Sequence, residues 1–433
     1  MGSPRQLIAI GLAAVLLLAG CSSPQGKPPA MDMRRSKVAF AQVGIDEVRR
    51  GGAGPLVDAA TRIGAELVSS ERSGAGSVVS PWAAVSLLAE LRDAARGSTA
   101  KQLDDVGFGA VRRDDGSDLD RTMAAFIGQV EQWAGDPGTV SASTPPATPL
   151  FQVGRAVLVP SLDAVSDHYL DTLSKYYDTG VYPVDLGAPM LGTALGEWAA
   201  VNSASTWTST PLEPGAGDRF AMLATAYLAA AWRYPFEVAD TTNAPFTDSD
   251  GTTSNVPTMH GTSTARLVRA PGFDAVQLDY GTTLALQIVL PPRGRPLSDV
   301  TTPESFTAAR LALAAAPAAQ HRISLPRWRT STWIRLPGPL AVRDAFSAGA
   351  SLDALGPRAR ISDARLAAAL TVGERGTVIG EPDASGSATP APAPATGPEP
   401  DPVSVDRAFA YSVVDTATGL PLLMGSVRSP VLE

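Results

Sequence analysis

Phe220-Ala221-Met222-Leu223-Ala224-Thr225-Ala226-Tyr227-Leu228-Ala229-Ala230-Ala231-Trp232 carries almost nothing but apolar side chains. A run of this kind is buried on every side. Periodicity does not separate a buried helix from a buried strand here, and the alanines alone favour helix. The chain around it, 433 residues at 44% hydrophobic, is long enough to bury a large core, as one big domain or as two to three smaller ones. No repeat of fixed period is apparent. A formal charge of −8 with no basic stripe argues against a nucleic-acid partner.

Upstream, Leu56, Ala60, Ile63 and Leu67 place one apolar stripe on a helix beginning near Pro55. Val78-Val79-Ser80-Pro81-Trp82 changes the period, and Pro81 suits the first turn of a helix whose continuation, Ala83 to Leu91, is apolar all round. Arg96-Gly97 breaks that helix, and Ser98-Thr99 offers a cap for the next. Leu119, Met123, Phe126, Ile127, Val130 and Trp133 share another helical face. Downstream, Ala275 to Tyr280 and Leu284 to Pro291 read as two strands around the turn at Gly281.

At the N-terminus, Arg5 precedes an apolar run from Leu7 to Leu18, too short to span a bilayer as a mature helix but suited to a secretory signal. It ends in Leu18-Ala19-Gly20-Cys21, which resembles the lipobox of bacterial lipoproteins. The expected organisation is a signal peptide over 1–20, a lipidated Cys21 opening a flexible tether over 21–54, and one domain over 55–433. That address is extracytoplasmic and membrane-anchored. Cys21 is the only cysteine, so no disulfide forms within a chain.

The residues that carry a family resemblance run through the whole chain in order. Ser80-Pro81-Trp82 and Arg92-Asp93-Ala94-Ala95-Arg96-Gly97-Ser98-Thr99-Ala100-Lys101-Gln102-Leu103 come first. The most specific block is Tyr227 to Phe236, followed by Ala244-Pro245-Phe246, Asp250-Gly251-Thr252 and Val256-Pro257-Thr258-Met259. Leu325-Pro326-Arg327, Asp344-Ala345-Phe346-Ser347 and Leu423-Met424-Gly425-Ser426-Val427 complete the series. Together they resemble the serpins, serine protease inhibitors. The resemblance implies an α+β serpin fold: a large, mostly antiparallel central sheet, smaller sheets, eight or nine helices and an exposed reactive-centre loop. It makes Phe220–Trp232 a central strand.

An inhibitory serpin lets a protease cleave that loop, whose first part then inserts into the large sheet. Glu374-Arg375-Gly376-Thr377 match the family's hinge, and the Pro/Ala-rich loop of this chain covers 376–402. Beyond Thr377 the match fails over Val378-Ile379-Gly380-Glu381-Pro382-Asp383. With Thr377 inward, Glu381 and Asp383 also face inward, where an unpaired carboxylate costs several kcal/mol, and Pro382 lacks a ladder donor. Insertion is expected to stall near Gly380. By family register the scissile bond is Pro390-Ala391, a poor site for most serine proteases. The prolines downstream favour an extended, semi-rigid chain, equally readable as an inert linker.

The resemblance further implies that the family's buried Asn–His latch falls on Ala224 and Leu366, and that Glu374 pairs with Arg327. Two functions stay open. One is a tethered inhibitor of an extracellular serine protease. The other, favoured, is a non-inhibitory serpin-fold module. The chain lacks a Gly-x-Ser-x-Gly elbow, a P-loop and a dinucleotide fingerprint, so no enzyme is expected. His168, His260 and His321 lack metal-ligand spacing; no metal or cofactor is expected, and the expected state is a monomer.

Overall fold

The computed structural model describes residues 31–111, 117–141, 144–212, 220–281, 283–356, 359–378 and 402–430. Its helices are α1 Ile45–Val48, α2 Ala53–Ser70, α3 Pro81–Ala94, α4 Gly97–Asp105, α5 Ser117–Val130, α6 Asp167–Tyr177, α7 Leu191–Val201 and α8 Pro303–Ala315. The strands are β1 Gly76–Val79, β2 Leu150–Val159, β3 Val181–Pro183, β4 Phe220–Ala231, β5 Thr242–Thr247, β6 Thr253–Ala270, β7 Phe273–Tyr280 and β8 Leu284–Leu290. They continue with β9 Ala318–Pro326, β10 Trp328–Arg335, β11 Ile361–Gly373, β12 Gly376–Thr377, β13 Pro402–Ser404, β14 Phe409–Asp415 and β15 Pro421–Val427.

The all-apolar run is β4, buried along nearly its whole length in a six-stranded sheet of order β10-β11-β12-β4-β2-β3. A central strand covered on both faces needs no polar alternation, so helix propensity loses to tertiary context. Met222, Ala224, Ala226, Leu228 and Ala230 join the main core, while Tyr227 and Ala229 pack on the opposite face. The expected smaller sheets are continuous: the 18-residue β6 pairs with β5, β7 and β9, which unites them in one nine-stranded sheet.

α3 lies beneath, with every residue from Pro81 to Arg92 buried. Ser80 caps it, its hydroxyl accepting from the Ala83 N–H at 3.2 Å, and Pro81 occupies the first turn. The expected Ser98-Thr99 cap is not used: α4 begins at Gly97, and Thr99 Oγ1 instead accepts from the Ser351 N–H at 3.0 Å.

The tether expected over 21–54 needs correction. From Arg34 onward that stretch is docked on the body: Arg34 and Val181 exchange backbone hydrogen bonds of 2.7 and 3.0 Å, and Ala41 N–H reaches Lys175 O at 2.7 Å. Arg35 pairs with Asp178, and Phe40 and Ile45 pack on the core. β3 is an edge strand with unpaired backbone groups, and the strap satisfies them. A Cβ at Gly180 would come within 2.1 Å of Arg34 O, so the close approach requires glycine there.

α3 also carries a buried acidic group. Glu90 sits 3.1 Å from Arg155 of β2, and burial pushes its carboxyl up to about 7 against the opposing pull of that guanidinium. One turn on, Asp93 is pushed up by burial and then by Asp120 of α5. A raised carboxyl keeps its proton in the folded chain while the unfolded chain ionises, so stability is greatest below the ordinary value of 4.5 and falls as pH climbs through about 7. For Glu90 alone the loss is about 3 kcal/mol. Melting at pH 5 and pH 8 will therefore show a lower Tm at the higher pH, and Glu90→Gln will reduce the difference, Asp93 supplying part of the remainder. An unchanged slope in that variant would remove Glu90 as its source.

Candidate functional site

β11 and β4 run side by side, in parallel, from Ile361↔Phe220 to Ala368↔Ala226. Above that point they separate, and β12 lies between them, antiparallel to both: Gly373↔Gly376 and Val372↔Thr377 on one side, Gly376↔Ala231 and Thr377↔Ala230 on the other. The sheet therefore holds a wedge whose tip is the start of the loop. Gly376 has φ +144°, and a Cβ there would lie 2.1 Å from Ala230 O, so no other residue fits between the two strands.

The hairpin between β11 and β12 is Glu374-Arg375, and the structure brings Glu374 and Arg327 together. Arg327 Nε donates to Glu374 Oε1 at 2.6 Å and Nη2 donates to the same oxygen. Thr241 Oγ1 donates to it as well, at 2.5 Å. The Glu374 side chain is only 3% exposed, so these donors stand in for water. Backbone bonds fasten both turn carbonyls: Phe236 N–H to Glu374 O and Trp232 N–H to Arg375 O, each 2.9 Å.

Several supporting residues carry no polar signature in the sequence. Trp232 Nε1 donates to Gly373 O at 2.8 Å, and its ring stacks on Tyr280 at 4.3 Å and 7°. The Tyr280 hydroxyl bonds Thr377 Oγ1, and burial pushes that phenol far above its ordinary value. Thr377 thus faces the interior. Val378 turns the other way, onto Tyr227 and Ala229, and its N–H reaches Thr371 O at 3.1 Å. The family motifs around Trp232 and Tyr280 were legible as strand signatures; that they clamp the hinge was not.

Lower in the sheet, Leu366 lies opposite Ala224, both fully buried. An apolar pair occupies that position, so no polar group is left unpaired there. Cys21, Ile379, Gly380, Glu381, Pro382, Asp383, Pro390 and Ala391 lie outside the described residues. Among the described residues no cluster of His, Cys, Asp or Glu is arranged to hold a metal ion.

A loop tip wedged between two parallel strands of a large sheet, sealed by a buried ion pair, is a specific topology. Residues 58–430 match the family Serpin (serine protease inhibitor). The chain belongs to the serpin family. Among solved structures, this serpin is similar to the thermophilic serpin tengpin in its native state, with TM-score 0.75 and 18% identity over 93% of this chain and 100% of that one. It is also similar to native protease nexin-1 with heparin, with TM-score 0.70 and 20% identity over 87% of this chain and 99% of the other. A search of curated proteins returned no match. The matched family is one of protease inhibitors rather than of enzymes.

Proposed function

We propose that this serpin is a binding or structural module, held outside the cytoplasm by lipid on Cys21, that does not trap proteases covalently. The observation that carries the reading is the register of the wedge. Continued in step, β12 would place Glu381 between Ala368 and Ala226, the first pair of the direct β11–β4 ladder. Pro382 would fall between Ala367 and Thr225, and Asp383 between Leu366 and Ala224. Ala226 and Ala224 face the main core, so both carboxylates would enter it. The residues that would have to pry the ladder open are thus the ones least suited to a central strand.

Incubating the purified chain with a panel of serine proteases is expected to give cleavage in the loop and no SDS-resistant covalent complex. Such a complex would establish the second reading, a suicide inhibitor, which the seated hinge and its Glu374–Arg327 pair favour. For the anchor, Cys21→Ser is expected to abolish incorporation of labelled palmitate and release the chain from membranes; retention of the label would exclude Cys21 as its site.

A further inference from the structure

Away from the hinge, α8, β6, β7, β8 and the β14–β15 turn enclose a cavity of about 410 Å³. Arg233, Arg266 and Arg310 all line it. The Arg310 side chain is 17% exposed, and its carboxylate partner is Asp58 Oδ1 at 3.8 Å on a side chain 62% exposed to water. The Arg310 Nε atom is buried without an acceptor among the described residues. Arg266 spends a guanidinium N–H on Ala316 O, and neither it nor Arg233 makes an ion pair among the described residues.

The carboxylates at the same cavity are already engaged by neutral donors. Asp415 accepts from Gln129 Nε2 at 3.1 Å, Thr418 Oγ1 at 2.7 Å and Ala417 N–H at 3.0 Å. Asp279 accepts from Gln277 Nε2 at 2.9 Å, and Gln287 Nε2 donates to Gln277 Oε1 at 2.9 Å. Gln277 and Gln287 are themselves buried, and such a polar chain is costly unless its members are satisfied. On the turn, a Cβ at Gly419 would come within 2.7 Å of Arg310 Nη1, so glycine leaves the guanidinium its place.

A guanidinium held mostly out of water, whose one carboxylate partner is largely exposed and whose Nε–H is buried without an acceptor, presents with two further arginines a set of donors suited to an anion. We infer that this cavity binds a small oxyanion, a carboxylate or a phosphate group, through Arg310, Arg266 and Arg233, with its neutral portion against the buried glutamines. Burial pushes the Arg310 guanidinium below its ordinary value, against the opposing pull of the exposed Asp58 carboxylate. The site is independent of the hinge, so it stands whether or not the chain traps proteases.

Calorimetric titration of the full chain with inorganic phosphate and, separately, with benzoate, at constant ionic strength in chloride, tests it. At least one is expected to bind with one-to-one stoichiometry, and Arg310→Gln to weaken binding about tenfold or more. Phosphate alone would identify a phosphoryl head group; tighter benzoate would identify an organic carboxylate. Arg293→Gln, whose guanidinium pairs with Asp406 elsewhere, should bind as the natural chain does. If Arg310→Gln melts before use, Arg233→Gln, exposed at the cavity, decides instead. Absence of binding by both anions up to about 10 mM, or unchanged affinity in the arginine variants, overturns the inference.

Discussion

Replacing Glu381, Pro382 and Asp383 by Thr, Ala and Ala is expected to yield a chain whose Tm rises steeply once its loop is nicked, while the natural chain gains little. The wedge has already opened the sheet as far as Thr377, and Val378 N–H has found its acceptor on β11. From position 381 onward, each further step must replace a direct β11–β4 pair by two new ones. Alanine and threonine add ladder bonds and bury small side chains beside Ala224, Ala226, Ala367 and Ala368. Glu381 and Asp383 instead oppose insertion by several kcal/mol each, and Pro382 by about 3 kcal/mol. The difference between the two nicked chains is on the order of 10 kcal/mol, which for a domain of this size is a shift of at least about 10 °C. Limited elastase digestion, mapping of the cut by mass spectrometry and calorimetry of the nicked product measure it. A nicked variant that melts with its intact form would show that something other than these three residues blocks insertion.

Arg327→Ala carries the second large effect, expected at about 3–5 kcal/mol in the urea midpoint. Removing the guanidinium leaves Glu374, 3% exposed, with the Thr241 hydroxyl as its remaining side-chain donor. The loss is asymmetric. Glu374→Ala strands Arg327, whose 15% exposure lets it recruit water, and should cost less. Arg327→Lys should recover part of the stability, because one ammonium replaces only one of the two guanidinium bonds to Oε1. A loss below about 1 kcal/mol in Arg327→Ala would mean that the pair is no more than a surface ion pair in energy.

Much of the hinge was legible residue by residue, because its requirements are local. Gly376 is needed where the backbone has positive φ between two strands, and Thr377 is small and able to bond Tyr280. The strap was not legible: Arg34 to Ile45 shows no periodic pattern, and what holds it is the free edge of β3 and the end of α6, far along the chain.

The sequence by itself determined that Phe220–Trp232 is buried, that Ser80-Pro81 starts a buried helix, that Glu374–Thr377 resembles the serpin hinge pattern, and that Glu381-Pro382-Asp383 suits a central strand poorly. Periodicity left β4 open between helix and strand until the family resemblance made it a strand; tertiary structure alone decided that the direct ladder begins at Ala368 and Ala226, and that three arginines from separate parts of the chain meet at one cavity. Propensity and capping act over a few residues. Strand pairing and the burial of charge are set by partners 47 residues apart for Arg327 and Glu374 and 141 apart for Trp232 and Gly373. No local rule reaches that far, and only the folded sheet brings those groups within bonding distance.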